Sequence, residues 1–169
     1  SMKVFNGDLY VGGNGIHSFF VAEMYRVHPD DTWDLIEGMP RDTPVGYKAP
    51  LSGLGPGFGW FLNAHIWRME VFDGRLYAGT FDLSTTFRGI PFVKNLVTNE
   101  LGFDLWWTAD GVNWALVDQN GLGDKFNFGV RSLKKTDWGF FLGTANFYYG
   151  LRIYRAIPPG FNFPPLVNP

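Results

Sequence analysis

A repeated sequence pattern limits what this chain can fold into more than any other feature. Residues 4–13 read VFNGDLYVGG, and residues 71–80 read VFDGRLYAGT. Residues 57–82 also align without gaps with residues 121–146. Six positions are identical in those two copies: Gly57/Gly121, Gly59/Gly123, Asn63/Asn127, Asp73/Asp137, Gly79/Gly143 and Thr80/Thr144. A pattern that recurs roughly every 60 residues indicates a repeat architecture in which each copy forms one structural unit.

Each unit is predicted to contain four β-strands. In the second unit these strands cover 66–72, 75–81, 104–108 and 113–118. Asp73-Gly74 joins the first two strands and Asp110-Gly111 the last two, and Asp-Gly between alternating apolar runs is a strong hairpin signal. A four-stranded antiparallel unit that recurs along a chain is typical of a propeller blade. We therefore predict an all-β chain of β-propeller-type four-stranded antiparallel blades, with a β-sandwich as the competing fold.

Two short motifs resemble those of known propeller families. The first unit resembles a kelch repeat, because Gly12-Gly13 follows an apolar strand and is followed by Tyr25, Trp33 and then GMPR at 38–41. Residues 108–114, TADGVNW, resemble the Asp-box turn of sialidase-like propellers. These resemblances imply a propeller fold with locked hairpins and tryptophans packed between blades. Since kelch proteins are mostly binding scaffolds, they also imply binding rather than catalysis.

The chain, 1–169, is predicted to be a single propeller module of about three blades, at approximately 3–38, 63–119 and 126–165. The first unit is predicted to lack its inner strand, and in the last only Phe161 to Phe163 could form a fourth strand. A closed ring takes about four to eight blades. The chain is therefore expected to form an incomplete ring that belongs to a longer protein or is completed by assembly. A two-fold dimer of about six blades is the preferred form.

One face of the predicted propeller carries the long connections, at Glu37 to Leu62, Asp82 to Gly102 and Gln119 to Phe126. The turns on the other face are minimal. Function concentrates in long loops on a rigid scaffold, although such loops can also simply plug a ring. The second connection is predicted to hold a short helix that starts at Pro91, presents Phe92, Leu96 and Val97 on one apolar side, and is capped by Gly102.

Polar residues at the strand ends on this face form the first candidate site. Asn63 is predicted to lie opposite Asp82 across a hairpin, and Asn127 opposite Asn146 in the next blade. Such a group could bind a cation such as calcium through oxygen ligands or hydrogen-bond a sugar. The alternative is that these side chains cap strand ends and bond the local backbone. His65 could be a ligand or a base on the same side of the blade, or part of the packing.

Aromatic residues supply a second set of candidates. Phe58, Trp60 and Phe61 lie in a glycine-rich loop on the elaborated face and are proposed to stack on a carbohydrate. Trp106 and Trp107 are adjacent in a strand, so their side chains are expected to point to opposite sides. The remaining tryptophans, Trp33, Trp114 and Trp138, are assigned to packing between blades.

The function that these features favour is a binding or scaffold module that recognises a carbohydrate or protein ligand on the long-loop face. The alternative is a propeller enzyme of glycoside hydrolase or lyase type, with Asp82, Asp104 and His65 as its candidate catalytic residues and Glu100 as a further acid nearby. No nucleophile elbow, zinc-protease motif or phosphate loop is present in the sequence. No cofactor is predicted apart from the cation considered above.

The composition of the chain argues against some classes of binding partner. The net charge of −2 without a cluster of basic residues disfavours nucleic acid. No apolar run approaches the length of a membrane span, so no membrane partner is predicted. The absence of cysteine excludes disulfides and leaves the compartment open. An extracellular location is favoured.

Overall fold

The structure is a computed structural model, and it describes residues 1–14, 21–91, 94–97 and 100–156. The described residues are almost entirely β-strands and connecting loops. The strands are β1 (Met2–Phe5), β2 (Asp8–Asn14), β3 (Ala22–Val27), β4 (Trp33–Glu37), β5 (Arg41–Thr43), β6 (Gly46–Lys48), β7 (Asn63–Phe72), β8 (Arg75–Asp82), β9 (Leu105–Thr108), β10 (Trp114–Asp118), β11 (Asn127–Thr136), β12 (Gly139–Asn146) and β13 (Ile153–Arg155). Two short helices, α1 (Ser84–Phe87) and α2 (Lys94–Val97), and two 3-10 turns, Pro56–Gly59 and Gly121–Gly123, lie in the connections.

Blade 1 is a complete four-stranded sheet in the order β1-β2-β3-β4, with every neighbouring pair antiparallel. The prediction that the first unit lacks its inner strand is therefore wrong. Met2–Phe5 supplies that strand and pairs with β2 from Met2↔Val11 to Phe5↔Asp8. Asn6 and Gly7 both take positive φ, 51° and 90°, which gives the tight turn that folds this short strand back on β2.

Blades 2 and 3 follow the same plan. In blade 2, β7, β8, β9 and β10 pair in sequence, and in blade 3, β11 pairs with β12 and β12 with β13. Among the residues that the structure describes, ladder pairing between these two blades is limited to Gly129↔Phe81. The strand predicted at Phe161 to Phe163 lies outside the described residues. The fold is thus all-β, with blades of propeller type.

Two apolar cores join neighbouring blades, and a few hydrogen bonds add to them, such as that from Arg68 Nε of blade 2 to the Arg131 carbonyl of blade 3 at 2.9 Å. Core 1 lies between blades 1 and 2 and contains Phe5, Tyr10, Ala22, Met24, Ile36, Phe58, Ile66, Met69, Leu76 and Ala78. Core 2 lies between blades 2 and 3 and contains Tyr77, Phe103, Leu105, Val130, Leu133, Phe140, Leu142, Tyr154 and Ala156. Trp106 packs on core 1 and Trp107 on core 2, which confirms that the two adjacent side chains point to opposite sides of the blade.

The Asp-box-like turn closes β9 on β10 through side-chain contacts to its own backbone. Asp110 Oδ1 accepts the amides of Val112 and Asn113 at 2.9 and 2.8 Å, and Thr108 Oγ1 accepts the amide of Gly111 at 2.8 Å. Hydrogen bonds to the carboxylate, the one from the Asn113 side chain first among them, lower the pKa of Asp110. The turn therefore locks a hairpin, as its resemblance implies.

Glycines in the second strand of each blade allow the blades to approach closely. A Cβ at Gly12 would lie 2.7 Å from Ile66 of blade 2, and a Cβ at Gly79 would overlap Val130 of blade 3. Gly143 holds the equivalent position in blade 3, where a Cβ would meet the Ser132 hydroxyl of the same blade. The repeated glycine is thus a contact point between one blade and the next.

Gly79→Ala is expected to lower the free energy of unfolding by about 2–3 kcal/mol, because the new methyl group must push the branched Val130 side chain out of core 2. Gly143→Ala, the matched control, is expected to cost less than about 1 kcal/mol, because the Ser132 hydroxyl can rotate away. Urea unfolding of both variants gives the comparison. Equal losses would show that the blade-to-blade contact at Gly79 does not govern packing.

The three long connections predicted from the sequence are present, but the helix prediction is only partly met. Helical residues in the second connection are Ser84–Phe87 and Lys94–Val97, so Pro91 precedes α2 instead of opening it. Phe92 and the side chain of Leu96 lie outside the described part of the chain, and Gly102 takes a φ of 102°. Within the described ranges, no helix is long and apolar enough to cross a membrane.

Candidate functional site

The predicted polar pairs face each other across their hairpins as expected. Asn63 pairs with Asp82 at the open end of β7 and β8, and Asn127 pairs with Asn146 at the open end of β11 and β12. All four side chains are buried, with Asn63 and Asn127 at 0%, Asp82 at 1% and Asn146 at 8% exposure. The polar groups therefore sit inside the long-loop face and not on its surface.

The two asparagines clamp the loops that precede their strands. Asn63 Nδ2 donates to the carbonyl of Gly57 at 2.9 Å, and Asn127 Nδ2 donates to the carbonyl of Gly121 at 2.8 Å. Each glycine lies in a 3-10 turn and takes positive φ, 66° and 62°. A Cβ at either glycine would come within about 3 Å of the asparagine that follows it. The repeated Gly and Asn thus form one structural device, in agreement with the capping interpretation of these residues.

The side chains of Asp82 and Asn146 accept hydrogen bonds from the turns that follow them in the chain. Asp82 Oδ1 accepts the Ser84 amide at 2.8 Å and also the Ser84 hydroxyl, and Asn146 Oδ1 accepts the amides of Tyr148 and Tyr149 at 2.9 Å. Asp82 Oδ2 accepts the indole N–H of Trp60 at 2.9 Å. These contacts order the start of each connection on the long-loop face.

Asp104 is a second buried acid, close enough to Asp82 for the charge of Asp82 to act on it. Asn63 Nδ2 donates to Asp104 Oδ2 at 2.7 Å, which links the loop clamp to the carboxyl group. Burial raises the pKa of Asp104 to about 8, against the hydrogen bond from Asn63, and the charge of Asp82 adds to the rise. Burial likewise raises the pKa of Asp82 to about 7, although Ser84 and Trp60 favour its charged form.

Two oxygens of this cluster, Asp104 Oδ1 and Asn63 Oδ1, are buried without a hydrogen-bond partner among the described residues. A carboxylate would add a second unpaired acceptor beside the amide oxygen, whereas a protonated carboxyl group supplies a donor. The burial and the unpaired acceptors both favour a neutral Asp104. With Asp104 only 3% exposed, the pair is shielded from solvent in this conformation.

Blade 1 carries two further buried acids, Glu23 and Glu37, neither of which is among the candidate site residues. Glu23 is fully buried. Its carboxylate accepts hydrogen bonds from the Tyr25 hydroxyl at 2.5 Å, the Met39 amide at 3.0 Å and Arg41 Nη1 at 2.9 Å. Glu37 is also fully buried, and burial raises its pKa well above the ordinary value, with the charge of Glu23 acting in the same direction. Glu23 holds the position of Asp104 in the repeat, and this alignment suggests a repeated structural role for both. Glu37 is marked by no motif, so only its place at the end of β4 could have suggested burial.

The aromatic candidates divide into buried and accessible residues. Phe58 is 5% exposed and stacks on Trp106 with ring centroids 4.9 Å apart, so its ring belongs to core 1 and does not face a ligand. Trp60 is partly buried and tied to Asp82, whereas Phe61 is 55% exposed. Trp138 is predicted to pack between blades, but it is 79% exposed at the tip of the β11–β12 hairpin. This prediction is wrong, because the hairpin tip extends past the blade and packs on neither core.

His65 lies in a partly buried aromatic cluster. Its ring centroid is 5.7 Å from that of Phe81, and Trp67 and Phe128 pack around the same Phe81 ring. Burial lowers the pKa of His65, which favours the neutral imidazole. The structure therefore places His65 in a packed environment. It assembles no group of three or more His, Asp or Glu suited to a metal ion among the residues it describes.

A cavity of about 520 Å³ opens on the long-loop face, at the side of blade 3. Its polar, charged and aromatic lining residues are Asn120, Asp124, Lys125, Phe126, Tyr149 and Arg152. They come from the connection before β11 and from the connection between β12 and β13. Leu101, from the connection between β8 and β9, adds an apolar wall.

Ion pairs and ring contacts order the side chains around this cavity. Arg152 Nη1 lies 3.4 Å from Asp124 Oδ2, and the Arg152 guanidinium lies 4.8 Å from the centroid of the Tyr149 ring. Asp124 is also held by Asn146 Nδ2 at 3.0 Å. Tyr149 is 54% exposed, so much of its ring remains available. Sequence reasoning missed the cavity because its walls come from three connections that are distant along the chain.

Comparisons with known proteins give limited information. No known family profile matches the sequence, so the kelch-like and Asp-box-like resemblances extend no further than the blade pattern. No curated protein matches it either. Among solved structures, the chain resembles a GH32 beta-fructofuranosidase of Bombyx mori in complex with sucrose, a mutant form, with a TM-score of 0.45. A second structure of that enzyme gives 0.43. Both comparisons have 12% sequence identity and cover 98% of this chain. The chain spans 35% of the length of those solved chains, and similarity at this level says nothing about activity.

Proposed function

We propose that this protein is a non-catalytic binding module of propeller type that holds a carbohydrate in the cavity on its long-loop face. The observation that carries the proposal is the combination of an exposed Tyr149 ring with polar and charged side chains around one cavity of ligand size. Its volume, about 520 Å³, lies within the range of small-molecule sites, roughly 300–1,000 Å³.

The lining supports a sugar better than an apolar ligand. A sugar ring presents an apolar C–H face and an edge of hydroxyl groups, so it needs one flat apolar surface and several hydrogen-bonding groups. Tyr149 and Phe126 supply aromatic surface, and Asn120, Lys125 and Asp124 supply donors and acceptors at the edge. The Arg152–Asp124 ion pair fixes two of the walls, which reduces the ordering that binding requires.

The buried Asn and Asp residues support this site instead of forming one. Their hydrogen bonds hold the connections that line the cavity, and Asn146 bonds both Asp124 and the amide of Tyr149. Asp82 and Asp104 do not line the cavity and are 1% and 3% exposed. The geometry therefore favours binding over the glycoside hydrolase alternative.

Tyr149→Ala is expected to weaken carbohydrate binding at least about tenfold, since loss of one stacking aromatic ring removes about 1.4 kcal/mol or more. The experiment is a glycan array followed by titration calorimetry with the best oligosaccharide. Tyr47→Ala is the matched control, because Tyr47 is 65% exposed in the separate β5–β6 hairpin. Equal losses in both variants, or an array without any bound glycan, would contradict the proposal.

A further inference from the structure

The two outermost blades present surfaces that the repeat elsewhere buries. Each blade has one face directed to the preceding blade and one directed to the following blade. Equivalent positions in the three blades can therefore be compared directly, because the same strand position faces the same direction in each.

The face of blade 3 directed away from blade 2 matches two buried surfaces within the chain. Leu151 is equivalent to Ala22 and Phe103, both fully buried, but it is 63% exposed. Ile153 is equivalent to Met24 and Leu105, both fully buried, but it is 37% exposed. With Phe141, they line an apolar cavity of about 370 Å³, and these three residues define the blade 3 end face.

The face of blade 1 directed away from blade 2 shows the complementary pattern. Met2 is equivalent to Met69 and Leu133, which are 6% and 5% exposed in cores 1 and 2, but Met2 is 68% exposed. Leu9 is partly exposed, whereas its equivalents Leu76 and Phe140 are fully buried. Together with Val11, these residues of β1 and β2 define the blade 1 end face.

We propose that the blade 3 end face packs on the blade 1 end face of a second copy of this chain, in the same arrangement that joins neighbouring blades within one chain. Cores 1 and 2 show that residues at these positions bury each other when the faces meet. Each chain carries both halves of the contact, so a second copy is a sufficient partner. Two copies related by a two-fold axis make two such contacts and give six blades, within the range of about four to eight in closed rings.

Within the chain, a lysine and a glutamate face each other between neighbouring blades, whereas two lysines would face each other at the interface between copies. Within the chain, Lys3 of blade 1 pairs with Glu70 of blade 2, and Glu70 also lies 4.0 Å from Lys134 of blade 3. At the new interface Lys134 meets the equivalent Lys3 of the second copy. Salt screens this repulsion, so assembly is expected to strengthen as ionic strength rises.

The mass of the protein in solution, measured by light scattering and sedimentation, tests the proposal. The expected result is twice the 19.1 kDa of one chain, with dissociation on dilution. Leu151→Lys and Met2→Lys each alter one end face at an exposed position, and each variant alone is expected to stay monomeric. Val45→Lys, at a residue 66% exposed in the β5–β6 connection, is the control and is expected to leave the dimer intact.

Mixing the two variants tests which faces meet. Each variant keeps one intact end face, and those faces are complementary, so the mixture is expected to contain a heterodimer with one contact. Circular dichroism melts of each variant verify that it is folded. A wild-type chain that stays monomeric at every concentration and salt level overturns the proposal. A mixture without heterodimer overturns it as well, because that result requires identical faces to pair.

Discussion

Asn63→Ala is expected to lower the free energy of unfolding by about 2–4 kcal/mol, which is among the largest losses expected for a single substitution in this chain. The amide of Asn63 bonds the carbonyl of Gly57 and the carboxyl of Asp104, and the residue is fully buried. Removing it takes one hydrogen bond from each of two buried acceptors, at about 1–1.5 kcal/mol each, and opens a small cavity. The Gly57 carbonyl keeps the Trp60 amide at 3.1 Å, and Asp104 Oδ2 keeps the Trp106 indole N–H at 3.5 Å. Guanidinium unfolding followed by tryptophan fluorescence gives the value.

Asn113→Ala is the control for this measurement. Asn113 bonds Asp110 at 2.7 Å, but it is exposed, so water replaces the lost contact and the cost is expected to stay near or below about 1 kcal/mol. A loss at Asn63 as small as that at Asn113 would mean that the loop clamp does not hold the 3-10 turn in place.

Stability is expected to decrease as the pH rises from about 6.5 to about 9. The pKa values of Asp82 and Asp104 are raised from 3.8 to about 7 and about 8 in the folded state, so that state binds their protons more tightly than the unfolded state. The resulting stabilisation is complete below the unfolded pKa and is lost as the pH rises through about 7 and 8. Each group contributes a slope of at most about 1.4 kcal/mol per pH unit.

Asp104→Asn isolates the contribution of one group. The amide keeps the shape of a neutral carboxyl group and cannot ionise, so the decrease in melting temperature between about pH 6.5 and 9 is expected to become shallower. The measurement begins near pH 6.5 because burial lowers the pKa of His65, and that effect acts in the opposite direction at lower pH. A melting temperature of the wild-type chain that stays constant across this range would contradict the assigned burial of the pair.

The sequence predicted those parts of the fold that depend on local rules. The positive φ values of Asp73 and Gly74 follow from turn chemistry. The opposition of Asn63 and Asp82 depends on this turn together with two register shifts along β7 and β8. The opposite orientation of Trp106 and Trp107 follows from the two-residue period of a strand. Each of these predictions needs information from one hairpin only.

The site was less predictable because its properties arise between distant segments. Burial, not residue type, raises the pKa of Asp104, and the burial comes from loops as far away as Gly57. Phe58 lies in a glycine-rich loop that the sequence suggests is exposed, yet Gly57 and Phe58 both take positive φ there and the Phe58 ring packs in core 1. No local pattern marks Tyr149, because its surroundings include Arg152 and a connection that lies more than twenty residues earlier in the chain.

The weak backbone pairing between blades has an evolutionary consequence. In the described part of the chain, blades 1 and 2 belong to separate sheets, and blades 2 and 3 share one ladder pair, Gly129↔Phe81. A gene duplication that inserts a whole blade therefore leaves the strand ladders within each existing blade intact. The side chains in the cores set the spacing between neighbouring blades. A larger residue at a contact point such as Gly79 pushes the next blade away, since a Cβ there would overlap Val130. Such substitutions change the angle between blades, and therefore the number of blades that close a ring, without changing the fold of any one blade.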